Sequence, residues 1–272
     1  MKKKLTPAVV VGTVLCTVFA IICVLPLCYM VLMSFTQSTS LRMHLKDVRL
    51  FDFVNFEYAI VNRGFGQSFW NSIIVTVGSC LLVDIVSAMA AYGFEKKLMP
   101  GRETLFQIYL STMMVPGQVA LISMFVMVNK IGMSNTYWAL ILPMVGAFGI
   151  FLMRQFMQGV PNELIEAAEI DGSGELRTFA TIVLPLTQPA LITLTVFTFT
   201  SSWNNFLWPL IITTRSNMFT LTVAMSTLSS MNDTNYGLVM AGATLTFVFP
   251  FLLYVFLQKQ FVEGIALGGV KG

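Results

Sequence analysis

The stretch Glu163–Ala190, "ELIEAAEIDGSGELRTFATIVLPLTQPA", decides how this chain is read. Five carboxylates (Glu163, Glu166, Glu169, Asp171 and Glu175) fall within thirteen residues of a chain that is 56% hydrophobic and only 11% charged. An ordinary soluble domain is about 25% charged, so the acidic run marks a place where an apolar chain emerges into water. Asn162 is placed to cap a short helix whose first turn holds Glu163 and Glu166, where acids suit the positive end of the dipole. Asp171-Gly172 reads as its stop, because glycine takes the left-handed conformation that ends helices. Such a helix of about nine residues is ~13 Å long, too short to cross a bilayer. Ser173 is expected to cap a second short helix, which Pro185 ends or bends.

Around this interlude lie apolar runs of about 20 residues, the length that spans hydrocarbon. Six are expected, near 8–33, 70–92, 104–128, 136–156, 186–212 and 237–258. Pro116-Gly117 interrupts the third, and the fifth is unusually polar. The N-terminal "MKKKLTPAVVVGTVLC" imitates a signal peptide, but its apolar run outlasts a signal core of about 7–15 residues, so it is expected to remain as the first span. The fold class is therefore all-α, a polytopic membrane protein with six transmembrane helices. Residues 1–66 are expected to form the first span and an outer loop, 67–259 the core, with the acidic loop at about 158–185, and 260–272 a short tail.

Six spans put both termini on one side. Placing them in the cytoplasm puts Lys2, Lys3, Lys4, Lys96, Lys97, Arg102, Arg154, Arg177, Lys259 and Lys271 inside. Arg42, Lys46, Arg49, Arg63, Lys130 and Arg215 then fall outside. The excess of inner basic residues favours this N-in, C-in orientation. It makes the acidic loop cytoplasmic.

Several chemistries are not expected. Cys16, Cys23, Cys28 and Cys80 all sit in apolar runs, as packing residues with neither zinc nor disulfide spacing. His44 is the single histidine, so no metal site is expected, and no basic stripe interleaves with aromatics as nucleic-acid binding requires. No phosphate loop of the G-x-x-x-x-G-K-[ST] type occurs. A serine protease built from Ser173 and His44 would need them in hydrogen-bond reach, whereas the expected topology puts them on opposite sides. No catalytic residues are assigned.

Two polar features lie inside the spans. Asp84 stands in "SCLLVDIVSAMAAYGF", and a carboxylate there suggests function by default. Ser87 and Ala91 on the same helix point instead to a tight packing face, where Asp84 bonds a neighbouring helix. In the fifth span Thr198, Ser201, Asn204, Asn205 and Trp208 recur every three or four residues and would share one helical face. Amides with an indole suit the hydroxyls and CH faces of sugars, so this stripe is the candidate substrate pathway. Interhelical hydrogen bonding is the competing explanation. Prolines at 26, 116, 143, 189, 209 and 250 free backbone carbonyls that packing or a wet cavity must satisfy.

The acidic stretch resembles the EAA loop of ABC importer permeases. It shows Glu166-Ala167-Ala168, then Gly172, then Ile182-Val183-Leu184-Pro185. The context Pro161, Glu163-Leu164 and Ile170-Asp171-Gly172 is similar to the carbohydrate, maltose-permease-like branch, as are "WNNFLWPLI" (Trp203–Ile211) and "QKQFVEGIALGGVKG" (Gln258–Gly272). The resemblance runs from about Asn71 onward. It implies the type I importer transmembrane fold in a bacterial cytoplasmic membrane. It further implies coupling to ATPases through Glu166, Ala167, Ala168, Asp171 and Gly172. The implied partners are a second homologous permease, two ATP-binding subunits that hold ATP and Mg, an extracytoplasmic sugar-binding protein and membrane lipid. The implied cargo is a di- or oligosaccharide, with a polyol or glycerol phosphodiester as the alternative. From another class, an ion-coupled secondary transporter is the rival, although no second similar half, common in such carriers, is visible.

Overall fold

A computed structural model describes residues 7–42, 52–230 and 235–269. His44, Lys46, Arg49, Lys271 and the three leading lysines lie outside these residues. Among the described residues the regular structure is helical throughout. Three helices are continuous spans, α1 (Pro7–Met33), α3 (Phe65–Lys96) and α14 (Tyr236–Gly269). Three bent helix pairs are candidates for the further spans. The first joins α4 (Arg102–Ser111), extended by a 3-10 turn to Met114, to α5 (Gly117–Lys130) at 99°. The second joins α6 (Tyr137–Ile141), extended to Met144, to α7 (Ala147–Met157) at 46°. The third comprises α9 (Glu175–Thr178), α10 (Leu184–Leu186) and α11 (Gln188–Trp203), bent by 78° at Thr187. Shorter helices are α2 (Val54–Asn62), α8 (Asn162–Ile170), α12 (Leu207–Ile212) and α13 (Leu221–Ser230).

Proline explains some breaks and not others. At Pro116 the preceding Val115 is extended, as the ring next door demands, and the span turns sharply. Pro26 and Pro250 instead lie inside unbroken helices. The expected fifth span, 186–212, needs correction: α11 stops at Trp203, Asn204–Phe206 is non-helical, and only then does α12 begin. Likewise the segment after Lys259 continues as helix to Gly269.

The chain divides into two compact units. One comprises Met1–Gly66 and Ala224–Phe249. Its organising residue is Asn55, 4% exposed, whose amide donates to the carbonyls of Ser34 (2.8 Å) and Thr36 (2.7 Å). Gly237 lies so close that an added Cβ would sit 1.8 Å from the Thr36 carbonyl oxygen. Phe35, Phe53 and Phe56 form a ring cluster beside this knot. The apolar window of α1 has none of its residues buried in the chain. Accordingly Cys16, Cys23 and Cys28 are exposed, and of the four cysteines only Cys80 packs inside as expected.

The other unit comprises Gln67–Val223 and Pro250–Gly272. Two apolar clusters run along α3. One joins Val83, Ala88 and Ala91 to Met153 of α7, Ile165 of α8 and Leu194 of α11. The second joins Val75 to Val128 of α5, Leu140 of α6 and Trp208 of α12. Lipid is as apolar as these side chains, so close packing and interhelical hydrogen bonds, rather than escape from water, hold them. Gly149 permits one such approach, since a Cβ there would meet Ser87 Oγ at 2.3 Å and Leu194 at 3.3 Å. Asp84 bonds a neighbouring helix as expected: Thr195 Oγ1 of α11 donates to Asp84 Oδ2 at 2.6 Å.

Candidate functional site

The acidic stretch folds as the short helix α8 and the turn that ends it. Its start differs from expectation. Pro161 occupies the cap position without a side-chain bond, and Asn162 is already helical. Proline's fixed φ suits the entry to a helix, and Asn162 uses its side-chain oxygen elsewhere, as described below. The end is as expected: Gly172 has φ +78°. Its N–H donates to Glu169 O (3.0 Å), and the Ser173 N–H donates to Ala168 O (2.8 Å). This paired return satisfies two of the orphan carbonyls of a helix C-terminus.

The helix has a sharp inner and outer side. Ile165 and Ala168 are buried, while Glu163, Glu166, Ala167 and Ile170 are exposed, Ile170 by 87%. The expectation that Ala167 and Ala168 together form one outer packing surface therefore divides. Ala167 faces out and Ala168 faces its own chain, because residues one apart are turned by about 100° on a helix. Asp171 and Gly172 are exposed at the tip of the turn.

The second short helix is capped by Gly174 rather than Ser173, whose hydroxyl accepts from Thr178 Oγ1 at 3.1 Å. Residues Phe179–Val183 then form a π turn, with the Leu184 N–H bonding Phe179 O. The wider turn absorbs the register change imposed by Pro185, which has no N–H to donate. The bend falls two residues later than Pro185, at Thr187.

Basic side chains from the C-terminal end of α3 clasp this loop. Lys96 Nζ donates to Val160 O (2.6 Å) and Asn162 Oδ1 (2.9 Å), at the start of α8. Lys97 Nζ pairs with Glu169 (3.5 Å), near its far end, and with Glu175 (2.5 Å), the first residue of α9. Tyr92 Oη donates to Glu175 Oε2 at 3.3 Å, and its ring lies under the Lys97 ammonium. Burial alone would pull the Lys97 amine down, but the hydrogen bond to Glu175, with Tyr92 and the Glu175 charge, holds it above its ordinary value.

Next to it Arg154, 6% exposed, bonds Glu95 (2.9 Å) and Glu103 (2.7 Å) and stacks over Phe106. Breaking the buried Arg154–Glu95 pair costs about 3–5 kcal/mol, whereas half-exposed pairs such as those of Lys97 contribute about 0.2–1 kcal/mol. Arg154 thus ties α7 to α3 and α4, and Lys97 braces the loop. By charge alone Lys96, Lys97 and Arg154 signal only orientation. The run "YGFEKK" (Tyr92–Lys97) is the signal that could have marked them.

The polar stripe expected in the fifth span is not one surface. Thr198 and Trp208 are 6% and 5% exposed, and the Trp208 indole N–H donates to Ala139 O at 2.8 Å, a packing role. Asn205 is half-buried, with its carbonyl accepting from Thr222 Oγ1 at 2.8 Å. Only Ser201 and Asn204 are exposed. A shared face needs an unbroken helix, and the break after Trp203 turns Asn205 and Trp208 away from it. Asn204 instead borders a cleft of about 160 Å³ with Thr195, Phe199, Thr200, Pro250 and Tyr254.

Comparison with known proteins agrees with this architecture. The family described as binding-protein-dependent transport system inner membrane component matches residues 85–266. The arabinooligosaccharides transport system permease protein AraQ of Halalkalibacterium halodurans is 36% identical over 284 residues, covering 100% of each chain. The lactose transport system permease protein LacG of Rhizobium radiobacter is 37% identical, covering 75% of this chain and 74% of that protein. Among solved structures, a bacterial ABC transporter involved in the import of the acidic polysaccharide alginate shares the fold, with a TM-score of 0.83. Its identity is 23%, over 95% of this chain and 98% of that one.

Proposed function

The chain belongs to the binding-protein-dependent transport system inner membrane components, and from that premise we propose that it is the permease subunit of an ATP-driven importer for a di- or oligosaccharide. An external binding protein delivers the sugar, a second homologous permease completes the pathway, and two ATPase subunits hold ATP and Mg. Closure of the ATPases pushes on α8, and the spans rock between outward and inward access. Residues 67–259 are the translocating core, and both termini face the cytoplasm. Glu166 and Ala167 are the outward contacts, Ala168 seats the helix against its own chain, and Asp171-Gly172 forms the turn. Along the pathway we retain Ser201 and Asn204.

The observation that carries this reading is α8 itself. A nine-residue helix, closed at Gly172 and braced from behind, exposes Glu166, Ala167 and Ile170. A compact, projecting amphipathic helix is the shape that enters another protein's groove. The named relatives for arabinooligosaccharides and lactose favour a sugar over a polyol or glycerol phosphodiester. The test is uptake of labelled arabinotriose and lactose into proteoliposomes holding both permeases and both ATPases, with the binding protein outside and ATP within. Uphill accumulation that stops on removal of ATP is expected. Accumulation driven by an ion gradient, with this chain alone and no nucleotide, sinks the proposal in favour of a secondary carrier.

A further inference from the structure

Lys96 and Lys97 are consecutive residues at the end of α3, and consecutive helical side chains diverge by about 100°. They take different partners accordingly. Lys96 holds Val160 O and Asn162 Oδ1, where the chain enters α8. Lys97 holds Glu169 and Glu175, where it leaves. All of α8 lies between the two holds, with Ile165 packed in the same apolar cluster as Val83, Ala88 and Ala91 of α3. A short helix tied at one end pivots when pushed. Tied at both ends and seated in the middle, it moves with whatever it is tied to.

We propose that Lys96 and Lys97 are positioning residues that lock α8 to α3, so that displacement of the outer face of α8 moves the 32-residue α3 as a body instead of bending the loop. Because α3 also supplies Val75 to the second cluster, the displacement reaches α5, α6 and α12 through packing. The inference rests on the coupling role proposed above for α8.

The experiment uses spin labels at Met89→Cys and Leu164→Cys, both exposed positions, in a chain whose four native cysteines are replaced by serine. Pulsed electron spin resonance then reads the separation of α3 and α8 in the assembled transporter, without nucleotide and with ATP and vanadate. One narrow distance distribution, unmoved between the two states, is expected. Lys96→Gln with Lys97→Gln should broaden it about twofold, as a segment released to local opening does. Lys97→Arg should keep it narrow.

A mean distance that moves with nucleotide in the unaltered protein overturns the proposal, as does a distribution that stays narrow in the double glutamine variant. Should that variant not reach the membrane, Lys97→Gln alone carries the same comparison, because its pairs are half-exposed. If the ATPases do not bind this permease, the coupling role fails. The broadening measured in the permease alone still decides the lock.

Discussion

Gly172 concentrates the most consequence in one residue. Its φ of +78° is closed to proline, whose ring holds φ near −65°, and its N–H closes the turn onto Glu169. Beyond its two chain neighbours nothing lies within 4 Å of where a Cβ would be, so the constraint is backbone conformation rather than space. Gly172→Pro is therefore expected to lower ATP-driven uptake at least about tenfold, since a 1.4 kcal/mol change in the productive conformation already does so. The amount of permease in the membrane should stay normal. Unchanged uptake per folded permease would mean that the turn does not shape the coupling surface. Trp208 teaches the opposite lesson. It looked like a sugar-binding aromatic in sequence, yet its N–H serves the Ala139 carbonyl and its ring fills the cluster around Val75.

At the scale of elements, close approach between helices depends on which small residue meets which neighbour. Gly149 on α7 meets Ser87 on α3, where a new Cβ would fall 2.3 Å from Ser87 Oγ but 3.2 Å from Ser87 Cβ. Gly149→Ala is expected to destabilise the folded permease by about 1–3 kcal/mol, the usual range for overpacking. Adding Ser87→Ala should recover most of that loss, because the offending oxygen is gone. Thermal unfolding of the single and double variants in detergent measures both effects, and additive losses would show that the two helices are not in contact there. The bent spans belong to this scale too. Pro116 announced its break in the sequence. The break between Trp203 and Leu207 lies one turn before Pro209, which cannot donate to the Asn205 carbonyl and clashes with it; the proline stands past the break instead of in it, and a continuous helix is the expectation from the sequence.

For the whole molecule, the first expectation to check is orientation. A fluorescent protein fused after Gly272 should fluoresce, and alkaline phosphatase fused at the same place should be inactive, because one folds in the cytoplasm and the other outside. The reverse pattern would place α8 on the wrong side for ATPases. The uncovered apolar surface of α1 is also a property of the whole: its own chain leaves it bare, so lipid or another subunit must cover it.

The sequence by itself determined the class of the protein, the approximate position of most spans, and the projecting acidic helix with its glycine stop. These rest on composition and on local periodicity, which a single segment carries within itself. Tertiary structure alone decided that Ala168 turns inward, that Trp208 and Thr198 are buried, and that two lysines from the end of α3 hold the two ends of α8. Each of these depends on side chains separated by tens of residues meeting at a bend, and no local pattern encodes where a bent helix will point its next turn.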